Sequence, residues 1–300
     1  IKKFFSFAYS RDDVILAGGY ECAILSVPEN KQLLVTTDTL ISGVHLPENT
    51  SPENIAYKSI MVNLSDLAAM GATPSWITLA ISLPEIDESW LTAFSNEFSS
   101  VLSEFNISLI GGDTTKGPLS ITIQAMGLSD KVKILRRDQA KPGDRIFVTG
   151  DLGDAAIGLH ALLNNLDDEK LSPCIKKLNR PEIKVKFAEE LARYSKCAID
   201  ISDGLIADLG HIIRASHCGA IVRLSDIPLS PSAQYYFQQY HAPHHKSAID
   251  WSMVLTQGDD YELCFTVNKD DEPSVKALAE KHKLKISCIG EITDSAKLVC

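Results

Sequence analysis

Apolar and polar positions change period along the chain, and the changes mark out its elements. Leu33 to Thr37 is a short, β-branched apolar run ending at Asp38, which predicts a strand delivering an acid at its tip. From Pro52, a residue suited to a first helical turn, Ile55, Ile60, Leu64, Leu67 and Ala68 recur up to Gly71, the last three at spacings from Ile60 close to whole helical turns. This predicts a helix with its apolar positions near one face. Trp76 to Leu83 predicts a strand and Glu88 to Phe105 a helix. Ile107 to Ile110 predicts a strand ending in Gly111-Gly112-Asp113, with Leu119 to Leu128 as its successor. Helices packed on one sheet make an α+β arrangement.

The pattern lapses at Arg136 to Arg145, a polar stretch with a Pro142-Gly143 turn, and a new strand begins at Ile146. We therefore expect two domains, residues 1–136 and 137–300. The second reads as an α/β layer, with helices over Asp154–Leu163, Glu182–Tyr194 and Glu272–His282 and another opening after Gly204. Its strands are expected at Ile146–Thr149, Ala198–Ile201, Ala220–Leu224, Leu263–Val267 and Ile286–Ile292. The fold class expected is thus α+β / α/β in two domains.

A chain of 300 residues with 45% hydrophobic and 23% charged content has ample material for a core. Its 39 acidic and 29 basic residues leave a net charge of −10 with no basic stripe, which argues against nucleic acid as a partner. The seven cysteines include no C-x-x-C pair, no apolar run reaches the length of a membrane span, and no signal pattern opens the chain. A cytoplasmic protein with small, buried thiols is expected.

Acidic motifs punctuate the apolar runs: Thr36-Thr37-Asp38-Thr39, Asn63-Leu64-Ser65-Asp66, Gly111-Gly112-Asp113-Thr114, Asp200-Ile201-Ser202-Asp203-Gly204 and Gly258-Asp259-Asp260-Tyr261-Glu262. Carboxylates in such places are costly unless a cation meets them, and hard divalent cations carrying a polyphosphate suit oxygen-rich sites with tight glycine turns. Each motif also has a plainer reading. Asp38 also reads as the start of a turn, Asn63 and Asp66 as members of an internal ion pair, and the Gly111-Gly112 stretch as an ordinary turn. Ser202 or Asp203 also reads as a helix cap. Arg137 suits phosphate oxygens or a solvated linker, and His45 an anionic substrate or none. His241, His244 and His245 have no fourth ligand nearby and read as a polar loop.

Taken together, Thr37-Asp38-Thr39, Val62-Asn63-Leu64-Ser65-Asp66-Leu67-Ala68-Ala69-Met70-Gly71, Gly111-Gly112-Asp113-Thr114, Ala140-Lys141-Pro142-Gly143-Asp144, Asp200-Ile201-Ser202-Asp203-Gly204-Leu205 and Asp260-Tyr261-Glu262-Leu263 resemble the thiamine-monophosphate kinase family. That family lies within the aminoimidazole-ribonucleotide synthetase-like ATP-binding enzymes. The resemblance implies ATP-dependent phosphorylation of thiamine monophosphate to thiamine diphosphate, by direct in-line transfer with several Mg²⁺ ions. It implies metal ligands at Asp38, Asp66, Asp113, Asp200 and Asp203, with oxygens from Thr36 and Thr37, and nucleotide contacts at Gly112, Asp113, Arg137 and Ser202. Substrate contacts are implied at His45 and Asp259, and a homodimer through the N-terminal domains. The family's Gly-Asp-Asp-Cys-Ala is Gly19-Tyr20-Glu21-Cys22-Ala23 here, so Glu21 stands as the metal ligand and Tyr20 replaces the first acid. The competing readings are another ATP-using member of the superfamily and a nucleotide-binding regulator with weakened catalysis.

Overall fold

The computed structural model describes residues 2–5, 11–242 and 248–300, with the side chains of residues 2 and 3 outside that set. His244 and His245 lie outside the described residues. The chain divides into two compact units, Ile1–Leu67 with Ala72–Val132 and Ala68–Gly71 with Lys133–Cys300.

In the first unit a short helix α1 (Lys2–Phe5) precedes an antiparallel hairpin of β1 (Val14–Leu16) and β2 (Ile24–Leu25). Then come β3 (Lys31–Ile41), α2 (Pro52–Ala69), β4 (Thr73–Leu83), α3 (Glu88–Glu104), β5 (Ser108–Lys116) and β6 (Ser120–Asp130). The last four strands form one mixed sheet in the order β3-β6-β4-β5, in which β4 and β5 run parallel and the other neighbours antiparallel. Asp38 is not at a strand tip. The β-branched threonines on either side keep β3 extended to Ile41, with Asp38 paired to Ile123 and Thr39 to Thr122.

The glycines at 111 and 112 do not form a turn. They lie inside β5, which continues to Lys116 beside β4 with a register irregularity at Ile77/Thr78. A Cβ on Gly112 would stand 1.9 Å from the Leu79 carbonyl oxygen, so a backbone without a side chain is what lets the strands approach here. Helix α2 also departs from its one-faced pattern. Ile55, Ala56, Ile60, Met61, Val62, Leu64, Leu67 and Ala68 are all buried, together with Lys58, Ser59, Asn63 and Ser65, so the helix is enclosed nearly all round. Helix α3 starts at the Asp87 cap, whose carboxylate accepts from the Ser89 and Trp90 amides at 2.8 and 3.1 Å. On the sheet, Trp76, Ile110, Met126 and Leu128 form an apolar cluster covered by Val14, Ala17, Ala23 and Leu25 of the hairpin region. The indole N–H of Trp76 donates to Asp13 at 2.9 Å, and Arg11 holds the same carboxylate.

The second unit contains β7 (Arg145–Thr149), α4 (Asp154–Leu163), α5 (Ser172–Asn179), α6 (Val185–Leu191), β8 (Cys197–Asp200), α7 (Leu205–Ser216) and β9 (Gly219–Val222). It continues with α8 (Pro231–Tyr236), α9 (Trp251–Thr256), β10 (Leu263–Val267), α10 (Glu272–Lys281), β11 (Ile286–Thr293) and β12 (Leu298–Val299). Its sheet has the order β12-β9-β11-β7-β10-β8 and is antiparallel except where β12 joins β9. The helix expected over 182–194 is shorter. Only the stretch whose Val185, Phe187, Ala188 and Leu191 are buried is helical, and a separate helix, α5, precedes it. Among the described residues no helix is long and apolar enough to cross a membrane.

Candidate functional site

Alternation along β3 sends Leu34, Thr36, Asp38 and Leu40 to its more buried side and Thr37 and Thr39 to the exposed one. The Thr36 hydroxyl donates to the Asp66 carboxylate of α2, which places Asp66 beside β3. Burial is the main cause that pushes the Asp38 carboxyl up to about 6, with the Asp66 charge adding to it and His45 opposing it. Asp66 is also raised by burial, and the Thr36 hydroxyl partly offsets this. Among the described residues no Lys or Arg contributes to either shift. Two desolvated carboxylates, the charge of one raising the other, thus lack a Lys or Arg partner, which fits an oxygen-coordinated divalent ion better than an internal ion pair.

The turn after β3 carries His45, whose Nδ1 accepts from the Ile41 amide at 3.2 Å. Thr36, Asp38, Asp66 and His45 are thus brought together, whereas the Thr37 side chain lies on the other side of the strand. Asp113 is also apart. Asp38, Ile123, Leu79 and Gly112 form one row across the sheet, and Thr39, Thr122, Ala80 and Asp113 the next. Three strand spacings, about 14 Å, separate the backbones of β3 and β5. Asp113 is exposed and accepts from the Thr114 amide at 2.8 Å. Glu21 is exposed in the loop joining β1 to β2.

In the second unit, β8 delivers the buried Asp200 to its end, where it pairs with Leu263 of β10. Ser202 and Asp203 follow, and Gly204 caps α7 with φ +108°. Neither Ser202 nor Asp203 supplies a side-chain cap. Instead Asp208, one turn into α7, accepts from the Ser202 and Asp203 amides, both at 3.0 Å. These two N–H groups are thereby taken by a carboxylate, not left open to an anion. Burial lifts Asp208 to about 6. Sequence reasoning missed this residue, although an acid in the first turn after a glycine cap is its signal.

The segment carrying Asp259 lies against the same loop, with the Asp259 amide donating to Ser202 O at 2.9 Å and the Tyr261 amide to Ile201 O at 2.8 Å. Asp260 and Glu262 turn inward. Asp260 is buried, accepts from the Gly153 amide at 2.9 Å and is pushed up to about 8, chiefly by burial. Glu262 meets Lys177 and accepts from the Thr149 hydroxyl at 2.5 Å. Arg137 is exposed. Its neighbour Arg136 pairs with Asp138 at 2.6 Å, and the Arg137 carbonyl accepts from the Ser216 hydroxyl at 3.1 Å. Among the described residues no group of three or more His, Cys, Asp or Glu side chains is arranged to hold a metal. One or two carboxylates are a normal protein share for Mg²⁺, whose remaining positions go to water and phosphate oxygens.

Family models named AIR synthase related protein match this chain, the N-terminal domain over residues 19–129 and the C-terminal domain over residues 141–300. The thiamine-monophosphate kinase of Escherichia coli K12 is 42% identical over 294 residues, covering 97% of this chain and 88% of that protein. A crystal structure of thiamine-monophosphate kinase from Stenotrophomonas maltophilia superposes with a TM-score of 0.89 at 41% identity, covering 96% of this chain and 91% of that one. A structure of AaThiL complexed with AMPPCP and TMP gives a TM-score of 0.79 at 27% identity, covering 99% and 89%. With both domains matched and the likeness running almost end to end, the chain belongs to the thiamine-monophosphate kinase family.

Proposed function

We propose that this chain phosphorylates thiamine monophosphate to thiamine diphosphate, transferring the terminal phosphoryl group of ATP directly and in line to the acceptor phosphate. The observation that carries the reading is the pair Asp38 and Asp66, two carboxylates with raised proton affinity to whose shifts no Lys or Arg contributes, His45 alone opposing that of Asp38. Relatives named thiamine-monophosphate kinase, and a neighbour crystallised with AMPPCP and TMP, supply the substrates.

Asp38, Asp66 and the Thr36 hydroxyl would hold Mg²⁺ in the first unit, with Glu21, Thr37 and Asp113 as further oxygen donors there and Asp200 and Asp203 in the second. Mg²⁺ held there would supply neutralisation of the phosphate charge during the transfer. Gly112, Asp113, Arg137 and Ser202 contact the nucleotide, and His45 and Asp259 the thiamine phosphate. No covalent intermediate is needed. Burial raises the thiols of Cys174, Cys197 and Cys264, that of Cys197 to about 12, so none is a ready nucleophile.

The reading extends to a cytoplasmic homodimer with the division of labour at residues 136/137. Leu33, Val35 and Ile41 are 44%, 53% and 37% exposed on the outer side of β3, an apolar strip that a second copy would cover. Purified protein given ATP, Mg²⁺ and thiamine monophosphate tests the activity: stoichiometric ADP and thiamine diphosphate are expected, and ATP binding without turnover would overturn it. Sedimentation tests the dimer.

A further inference from the structure

Beneath the Asp259 segment lies a buried polar network that the reaction as described does not use. The segment's backbone is unusual in that Asp259 and Tyr261 have φ of +70° and +48°, a left-handed conformation that side-chain-bearing residues avoid. Such a conformation persists only where neighbours over-determine it.

Here the residues alternate. Asp259 and Tyr261 turn their amides to the Ser202 loop at 2.9 and 2.8 Å, while Asp260 and Glu262 point inward. Asp260 takes the Gly153 amide, and Glu262 takes Lys177 and the Thr149 hydroxyl. Glu262 fits only because residue 150 is glycine: a Cβ there would lie 2.3 Å from Glu262 Oε1. Thr149 is committed as well, since its hydroxyl accepts from the Leu263 amide at 2.9 Å. Lys177 comes from α5, 85 residues away in sequence, and its side chain is only 16% exposed.

We propose that Lys177 is a positioning residue: its ion pair with Glu262 fixes the strained 258–262 segment and so sets where Asp259 presents its carboxylate. The inference rests on Asp259 as the thiamine-phosphate contact, yet its structural half can be tested without activity. Removing the ammonium leaves Glu262 buried and unpaired, which favours a shifted or open segment over a merely weaker one. Arginine at 177 can restore the charge and the hydrogen bond.

Native-state hydrogen exchange reads the segment directly, because the Asp259 and Tyr261 amides bond it to the Ser202 loop, beside the Ile201 amide that donates to the Glu262 carbonyl at 2.7 Å. In Lys177→Met these two amides are expected to exchange about tenfold faster, with α10 unchanged and Lys177→Arg near the parent. Gly150→Ala, which displaces Glu262 and leaves every charge in place, is expected to do the same and serves if Lys177→Met fails to fold. In the kinase assay, KM for thiamine monophosphate is expected to rise about tenfold with a smaller change in kcat, and the effect to be non-additive with Asp259→Ala. Unchanged exchange at both amides in a folded variant overturns the positioning role. Faster exchange with no change in the KM for thiamine monophosphate overturns the link to Asp259. A parent protein that never turns over thiamine monophosphate sinks the active-site reading instead and leaves the exchange result to decide the anchor.

Discussion

Asp66 of α2 raises the proton affinity of Asp38 on β3, while the Thr36 hydroxyl two residues earlier on the same strand is given to Asp66. One strand thus supplies both an acid that Asp66 opposes and a hydroxyl that Asp66 accepts. Such an arrangement is unfavourable when empty and becomes favourable when a divalent cation replaces the proton. The pair is therefore where metal, proton and stability are linked.

The linkage has a definite sign. The Asp38 carboxyl titrates at about 6 in the folded chain against an ordinary 3.8, so between these values the native state binds more protons than the unfolded one. Stability of the metal-free protein falls as pH rises through that window, and the whole penalty is present above it. Asp38→Asn is expected to raise the metal-free melting temperature at neutral pH and to flatten its dependence between about pH 4 and pH 6. Mg²⁺ affinity in the parent should fall on acidification below about 6, because the proton competes for the same oxygen. Melting curves across pH, with and without Mg²⁺, check both, and an Asp38→Asn variant less stable at neutral pH than the parent would refute the first.

Asp66→Asn keeps the shape and the acceptor for Thr36 but removes the charge. Turnover is expected to drop by about a hundredfold or more while the fold persists, since phosphoryl transfer depends on charge placed around the phosphates. Thr36→Val removes only the hydroxyl donor and should weaken Mg²⁺ by about tenfold, the scale of a ligand's hydrogen-bonded support. Near-normal turnover of Asp66→Asn at saturating Mg²⁺ would sink the assignment.

Trp76→Phe tests the attachment of the hairpin whose connecting loop carries Glu21. The indole is fully buried, and its N–H meets Asp13, which Arg11 also holds. Losing the donor should cost about 1–3 kcal/mol and quicken proteolysis within residues 11–25 ahead of global unfolding. Limited digestion with mass mapping reads the order of cleavage.

How far the chain's sequence disclosed this arrangement follows from the range of the interactions. The periods of α3 and β10 are local, and both elements lie close to their expected bounds. The apolar run stops at Asp38 and predicts a strand tip there, yet pairing with Ile123 on a distant strand keeps Asp38 mid-strand. Gly111 and Gly112 likewise suggest a turn, and only the presence of β4 alongside makes them part of a strand. Asp38 and Asp66 could be named as acids in apolar settings, but their coupling depends on the Thr36–Asp66 bond between β3 and α2, which no local pattern announces. Lys177 carried no signal at all, because its partner Glu262 is remote in sequence.

Asp208 offers the sharpest separation of charge from geometry. A single oxygen, Oδ2, accepts both the Ser202 and the Asp203 amides, so one acceptor organises the loop. Asparagine can place its amide oxygen there, while alanine leaves two backbone donors unmet. Asp208→Ala is expected to cost about 1–3 kcal/mol and to raise KM for ATP through the displaced Ser202, whereas Asp208→Asn should keep KM close to the parent. Because burial lifts Asp208 to about 6, its carboxylate also burdens the fold as pH rises from the ordinary 3.8, and asparagine removes that burden. Asp208→Asn should therefore gain stability at neutral pH relative to the parent and lose the advantage near pH 4, where the parent's carboxyl is protonated. Chemical denaturation at the two pH values, with ATP titrations of both variants, checks this. Equal ATP binding by Asp208→Ala and the parent would show that the Ser202 loop holds its place without the carboxylate.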